Sequence, residues 1–163
     1  MKSLSAQKIR TEFLEYFHGQ GHQKVRSSSL IPSNDPTVLL TTAGMQQFKP
    51  YFLGEQGPPA RRLTTAQKCF RTSDIEEVGD STHDTFFEML GNFSVGDYFK
   101  KEAIAFAWDL LVSHWEIPPE RLSITVFGGY ESLSPDEEAE GLWRAHDVPD
   151  ERIHRFGPKD NFW

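Results

Sequence analysis

Cysteine is almost absent from this sequence, since Cys69 is the one cysteine among 163 residues. A single cysteine cannot form a disulfide bond within the chain, which fits a reducing compartment. Long apolar runs are missing too: charged residues interrupt the apolar pattern of the N-terminal segment, and no stretch reaches the roughly 18 apolar residues of a membrane span. These absences predict a cytoplasmic protein with no secretory signal and no membrane partner.

Basic residues are also scarce, with 17 Lys and Arg against 24 Asp and Glu and a formal net charge of -7. This balance argues against a general electrostatic grip on nucleic acid, so DNA is not an expected partner and any RNA contact must come from a local patch. What the sequence does contain is 37% apolar and 13% aromatic residues. That is enough for a packed core, and the length suits one domain over residues 1–163.

The first third of the chain predicts a helix, a turn and a strand. Apolar residues recur every four positions from Ile9 to Phe17, behind Ser5 as a cap, and Gly19 ends this helix. Asn34-Asp35-Pro36 is a turn signal, and the β-branched and apolar run Thr37–Leu40 after it predicts a strand. A short helix or irregular segment is expected from Met45 to Phe52, followed by a surface loop at residues 54–59.

The last third predicts two helices and two strands. Gly96-Asp97 is a helix start, because the Asp97 carboxylate can accept from the first free N–H groups of a helix that runs to about Ser113. Residues 134–137, Ser-Pro-Asp-Glu, predict a capping box with proline at the first helical position and a helix through about Ala145. Strands are expected at Leu122–Val126 and Glu151–Phe156. Without repeating strand-helix-strand units, the pattern indicates an α+β fold.

The central stretch, residues 67–100, predicts an antiparallel hairpin. A short apolar run ends at Arg71, an acidic loop of about a dozen residues follows, and the aromatic run Thr85–Leu90 forms the second arm. This pairing would bring Arg71 and Phe87 together, whereas Phe86 must point to the opposite face. A guanidinium that forks onto a phosphate beside a ring that stacks on a base suits a nucleotide. The alternative from the residues alone is a core hairpin with one surface arginine.

The same residues resemble a known family. The run from Thr85 to Lys100, TFFEMLGNFSVGDYFK, is similar to motif 2 of the class II aminoacyl-tRNA synthetases in the form that alanyl-tRNA synthetases have. Three further blocks are similar to that family in the same order: residues 34–37 (NDPT), residues 42–45 (TAGM) with Phe48-Lys49, and residues 160–163 (DNFW). Four collinear blocks are a more specific signal than one short motif.

The resemblance implies a fold and a reaction. The fold is a mainly antiparallel sheet flanked by helices, as in class II catalytic domains. The reaction is activation of alanine by ATP followed by transfer to the 3' end of tRNA(Ala), so alanine, ATP with its associated Mg²⁺, and tRNA(Ala) are the expected partners. Zinc is expected only in family domains outside this chain.

The resemblance also implies roles for single residues. Arg71 matches the catalytic arginine of motif 2, which grips the α-phosphate of ATP and the carboxylate of alanine. ATP binding further involves Phe87, which stacks on adenine, His83 near the distal phosphates, and Met89, whose backbone meets the adenine edge. Trp163 matches the tryptophan that walls the alanine pocket. Candidate contacts to tRNA are Asp74 in the acidic loop and the basic pair Arg61 and Arg62, which is suggested by its charge and not by the resemblance. The alternative for this pair is a solvated basic spot on the surface.

The sequence departs from the family in two places. Many members follow the motif 2 arginine with a longer Gly-Gly-Lys-His-Asn stretch, but here Thr72-Ser73 lead directly into Asp74 and an acidic loop that would repel phosphates unless its carboxylates turn away. The chain also stops at Trp163, before the family's motif 3. We therefore expect an N-terminal fragment of the aminoacylation domain, inactive in isolation.

Two other classes of function compete with the ligase. One is a non-catalytic module, derived from a synthetase, that binds RNA or protein. The other is a metal-dependent hydrolase built on His83, Asp84 and Glu88, although these residues lack the ligand spacing of a zinc site and no protein-bound metal is expected.

Overall fold

The computed structural model describes residues 4–32, 38–73 and 75–161. The chain divides into two compact units, one formed by residues 4–97 and the other by residues 98–161. The structure contains both helices and strands, and its longest strand pair, residues 62–70 with residues 86–94, is antiparallel. The α+β class is therefore confirmed. That all 163 residues form one domain stays a prediction.

The first unit opens with helix α1, Ala6–Gly19, as predicted. The Ser5 hydroxyl accepts from the Lys8 backbone N–H at 3.3 Å, which satisfies one of the free donors of the first turn. Phe13 and Phe17 are buried with their ring centroids 4.7 Å apart. Burial of a phenylalanine contributes roughly 1.5–3 kcal/mol, so this apolar face anchors the helix.

A three-stranded sheet forms the centre of this unit. Its order is β1 (Gln23–Lys24), β2 (Arg62–Phe70) and β3 (Phe86–Ser94), with β1 parallel to β2 and β2 antiparallel to β3. The predicted hairpin is therefore confirmed. Between β1 and β2 lie a 3-10 turn, Gln46–Phe48, and the short helix α2, Lys49–Phe52, in the region where a short helix was expected.

The strand predicted at residues 37–40 is wrong where the structure describes it. Val38 to Leu40 belong to no strand, and Leu39 is 92% exposed. The Thr41 N–H donates to the Leu30 carbonyl at 2.8 Å, so the chain folds back on itself before it reaches the sheet. Residues 34–37, with the predicted Asx-Pro turn, lie outside the described residues.

Gly91 is required by close packing in the middle of β3. A Cβ atom at this position would lie 2.6 Å from the Phe93 ring, and that ring cannot retreat easily because it packs on buried Phe48 with centroids 4.8 Å apart. Any larger residue would have to displace part of the core.

The second unit contains helix α3 (Lys100–Trp108), which continues as a π-helical segment (Asp109–His114). The predicted extent to about residue 113 is confirmed, but the predicted cap is wrong. Phe99 occupies the N-cap position, whereas the Asp97 carboxylate accepts a hydrogen bond from Arg62 Nε at 2.5 Å within the first unit. An ion pair with arginine has replaced the capping interaction.

The rest of this unit is β4 (Ile124–Phe127), α4 (Glu137–Arg144), β5 (Ile153–Phe156) and α5 (Pro158–Asn161). Both strands lie where they were predicted, and they pair in parallel with α4 in the connection between them. The core comprises Val126, Val148 and Ile153, with Trp108 and Trp143 packed against it.

The predicted capping box of α4 is also wrong. Asp136, two residues after Ser134, is the N-cap, and its carboxylate accepts from the Ala139 N–H at 3.0 Å. The Asp136 N–H donates to the Phe127 carbonyl at 2.9 Å, which holds the chain at β4 and prevents the helix from starting earlier.

Candidate active site

The hairpin presents two chemically different faces. Successive side chains of a strand alternate, so Leu63, Thr65, Gln67 and Cys69 share one face of β2, and all four are fully buried. Their partners on β3 are Phe93, Gly91, Met89 and Phe87. Phe86 belongs to the other face and is 50% exposed, as its predicted opposite orientation requires.

Arg71 lies just beyond β2 on the same face as Phe87. Its backbone N–H donates to the Thr85 carbonyl at 2.9 Å, which extends the hairpin pairing by one residue and fixes the direction of the side chain. The Arg71 Cζ atom lies 5.3 Å from the centroid of the Phe87 ring, within the range of a cation-π contact. The predicted proximity of this cation and this ring is confirmed.

Among the described residues, the Arg71 guanidinium has a further partner that the sequence did not indicate. Its Nε–H donates to the Thr42 backbone carbonyl at 2.9 Å. No carboxylate of the described residues pairs with this arginine. The two terminal Nη groups, with four N–H donors in a planar fork, therefore face no competing anion from the described chain.

Met89 lies two residues after Phe87 and shares its face. The Gly44 N–H donates to Met89 Sδ at 3.1 Å, and a Cβ at position 44 would lie 3.4 Å from the same sulfur. The short Gly44 backbone therefore packs directly on the thioether and holds it beside the hairpin.

Gln67 is a fully buried polar side chain on the same face of the hairpin, opposite Met89. Its role was not predicted from the sequence. Its Oε1 accepts from the Ser28 N–H at 2.8 Å, the Ser28 hydroxyl at 3.1 Å and Gln47 Nε2 at 2.8 Å. Its Nε2 donates to the carbonyls of Lys68 and Ser28 at 2.8 and 3.2 Å. A glutamine in the buried register of a strand was the available signal, because a buried amide must find partners.

His83 lies in the acidic loop, between two carboxylates. Its Nδ1 is 2.7 Å from Asp80 Oδ2, and its Nε2 is 3.2 Å from Glu77 Oε2. Asp80 Oδ1 also accepts from the backbone N–H groups of Thr82 and His83 at 2.9 and 2.7 Å, and these bonds, led by that from Thr82, hold the pKa of Asp80 well below its usual range. Both ring nitrogens thus face loop carboxylates in this structure.

Arg61 and Arg62 lie at the opposite end of β2 from Arg71. At about 3.3 Å per residue the separation along the strand is roughly 30 Å, so they do not share a site with Arg71. Arg62 is engaged by Asp97 and by the Gln20 carbonyl, at 3.0 Å from Nη1, whereas Arg61 is exposed.

Two candidate site residues, Asp74 and Trp163, lie outside the described residues. Within the described ranges no group of three His, Cys, Asp or Glu side chains is placed to hold a metal ion. Glu88, a member of the hypothetical metal set, instead accepts from Arg10 of α1. No helix in the described part of the chain is long and apolar enough to cross a membrane.

Comparison with known proteins identifies the family of this chain. The family described as tRNA synthetases class II (A) matches residues 8–163. The chain therefore belongs to the class II tRNA synthetases.

The individual relatives are alanine–tRNA ligases. Those of Dehalococcoides mccartyi, Rubrobacter xylanophilus and Roseiflexus castenholzii are 55%, 54% and 57% identical to this sequence over 98%, 100% and 100% of the chain. The alignments cover 18%, 18% and 19% of these proteins, so the chain spans about a fifth of the length of the relatives it matches.

Proposed function

We propose that this chain supplies the ATP-binding part of an active site that attaches alanine to tRNA(Ala). The observation that carries the proposal is the Arg71 guanidinium, 5.3 Å from the Phe87 ring and held at Nε by the Thr42 carbonyl. Membership of the class II family and the name shared by the relatives support the choice of reaction and of amino acid.

The first step of this reaction needs charge stabilisation more than acid-base chemistry. The alanine carboxylate attacks the α-phosphorus of ATP, a new O–P bond forms, and the bond to pyrophosphate breaks, so negative charge builds on the phosphoryl oxygens. A fixed fork of N–H donors stabilises that charge without reorganising, because its orientation is set before substrate binds. The Nη groups of Arg71 fill this role, and the Phe87 ring supplies a stacking surface for adenine.

The remaining expected roles are part of the same proposal. The Met89 backbone meets the adenine edge, Trp163 walls the alanine pocket, and Asp74, Arg61 and Arg62 contact tRNA. Magnesium is part of the same proposal and arrives with the ATP phosphates, because Mg²⁺ is commonly bound through substrate phosphates. Membership of the class II family and the name shared by the relatives also support the cytoplasmic location that we propose.

His83 has to change partners to serve the distal phosphates. Glu77 and Asp80 occupy its two ring nitrogens, and their negative charge would repel a polyphosphate at the same place. We expect ATP with Mg²⁺ to separate His83 from at least one of these carboxylates.

The test is alanine-dependent exchange of pyrophosphate into ATP, measured with the full-length gene product. Arg71→Ala should lower the exchange rate by roughly two to three orders of magnitude, the usual cost of a lost transition-state donor. Arg26→Ala, which removes an exposed arginine of the same unit, is the matched control and should leave the rate unchanged.

Two outcomes would contradict the proposal. Unchanged exchange in Arg71→Ala would mean that this arginine does not act on the reacting phosphate. A wild-type gene product that binds RNA but catalyses no exchange would favour the non-catalytic module.

A further inference from the structure

We infer that Thr41 and Gln46 are positioning residues that aim the Arg71 guanidinium through the Thr42 carbonyl. This inference rests on the proposed function only for its effect on rate. Its geometric part concerns the contacts of residues 41–46 with the end of β2.

The Thr42 carbonyl is the one protein acceptor of the Arg71 side chain among the described residues. A guanidinium is planar, so fixing Nε–H on an acceptor also fixes the plane in which both Nη groups lie. The direction of the Thr42 carbonyl therefore decides where the Arg71 fork points. A displacement of about 1 Å at a reacting centre can cost roughly a hundredfold in rate.

Thr41 fixes the Thr41–Thr42 peptide, which directly precedes the peptide that carries the Thr42 carbonyl. It is 2% exposed, and its carbonyl accepts from the Phe70 N–H at 2.9 Å, which ties the segment to the end of β2 next to Arg71. Its hydroxyl donates to the Ser29 carbonyl at 2.8 Å, and its N–H donates to the Leu30 carbonyl at 2.8 Å. Three hydrogen bonds on one residue leave the Thr41-Thr42 peptide little freedom to rotate.

Gln46 holds the N–H end of the Thr41–Thr42 peptide, so Thr41 and Gln46 together fix the backbone that leads into the Thr42 carbonyl. Its Oε1 accepts from the Thr42 N–H at 3.1 Å, whereas its Nε2 is buried with no partner among the described residues. A buried donor without a partner is unfavourable for folding, so the Nε2 group offsets part of the stability that the Oε1 contact contributes. Within the described residues, the polar contact of this amide is to Thr42, the residue whose carbonyl accepts from Arg71.

The experiment replaces the side chains that hold the Thr41–Thr42 peptide. It measures the distance from Arg71 Nε to the Thr42 oxygen and the rate of pyrophosphate exchange, both in the full-length gene product. Thr41→Val removes the hydroxyl at constant shape, and Gln46→Met removes the acceptor at similar length. Thr41→Ser keeps the hydroxyl and should rescue. Thr65→Val is the matched control, because Thr65 is fully buried on the same hairpin and its hydroxyl has no partner among the described residues.

Crystal structures of the variants give the geometric result. In wild type, Thr41→Ser and Thr65→Val we expect Arg71 Nε to stay within hydrogen-bond distance of the Thr42 oxygen. In Thr41→Val and Gln46→Met we expect this distance to exceed about 3.2 Å. If it stays unchanged in both of these variants, the inference is overturned, and if Thr41→Val fails to fold, Gln46→Met decides alone.

The exchange assay separates a positioning role from a general structural one. Thr41→Val and Gln46→Met should lower kcat about tenfold with little change in KM, as expected when only transition-state contacts weaken. In an Arg71→Ala background the same substitutions should have less than about a twofold effect, since the group they position is gone. A tenfold loss that persists in that background would overturn the inference. A wild-type protein without exchange but with the expected geometric changes would refute the proposed function and leave the positioning supported.

Discussion

The two ends of β2 each carry an arginine, and the two side chains are used differently. Arg62 at the start is engaged by the Asp97 carboxylate and the Gln20 carbonyl. Arg71, just past the end, contacts one backbone carbonyl and one aromatic ring, and no carboxylate of the described residues. The charge of the first cation is compensated within the fold, whereas the second faces no compensating carboxylate among the described residues.

The role open to each arginine depends on the partners of its guanidinium. An arginine paired with an internal carboxylate contributes to the stability of the fold, so the tRNA contact proposed for Arg62 has to compete with Asp97. An arginine oriented by a neutral carbonyl keeps its full charge and an aligned fork. Function at Arg71 and stability at Arg62 are therefore separable by mutation.

The largest expected difference between the two arginines is in the exchange rate after each is replaced by lysine. Arg71→Lys keeps a positive charge but loses the planar fork and the Nε–H that donates to Thr42, so exchange measured without tRNA should fall about a hundredfold. Arg62→Lys should change exchange by less than about twofold, because that side chain faces an internal carboxylate. Equal losses in the two variants would contradict the distinction.

A smaller effect is expected from the neighbouring rings of β3. Phe87→Leu removes the stacking surface next to Arg71, and since stacking on a base is worth about 1–3 kcal/mol, KM for ATP should rise at least about fivefold. Phe86→Leu is the control on the opposite, half-exposed face and should leave KM for ATP unchanged. The ratio of the two KM values is the decisive measurement, and a ratio near one would refute stacking at Phe87.

The smallest expected effect is on Tm, whose dependence on pH should differ between the Arg62 and Arg71 variants. The side-chain hydrogen bond from Arg62 lowers the pKa of Asp97, so the pair stabilises the fold above the ordinary aspartate pKa of about 3.9 and loses that contribution as pH falls through the lowered value. Arg62→Ala should therefore lower Tm at pH 7, and the difference from wild type should shrink below about pH 4. Arg71→Ala should give a Tm difference that does not change over that pH range, as thermal unfolding followed by circular dichroism can test.

The hairpin and the meeting of Arg71 with Phe87 were predictable from the sequence because both depend on local regularities. Side chains alternate along a strand, and pairing across one loop fixes which residues face each other. The buried face of α1 and its Ser5 cap follow from spacing in the same way. Such features need no knowledge of distant parts of the chain.

The remaining features depend on partners far apart in sequence. Asp97 binds Arg62, 35 positions away, instead of capping the predicted helix. Gln67 likewise accepts from Ser28, which is 39 positions away. The Thr42 carbonyl that orients Arg71 belongs to the backbone and has no residue signature at all. Pairing of β4 with β5 in parallel likewise depended on a crossover that local periodicity does not encode.

The Gln67 amide has a consequence for how the first unit comes apart. Ser28 belongs to no helix or strand, yet its N–H, hydroxyl and carbonyl all bond to the side chain of a residue in the middle of β2. If the irregular segment around Ser28 opened to solvent, the buried Gln67 amide would lose these hydrogen-bond partners. The segment therefore belongs to the same cooperative unfolding unit as the sheet.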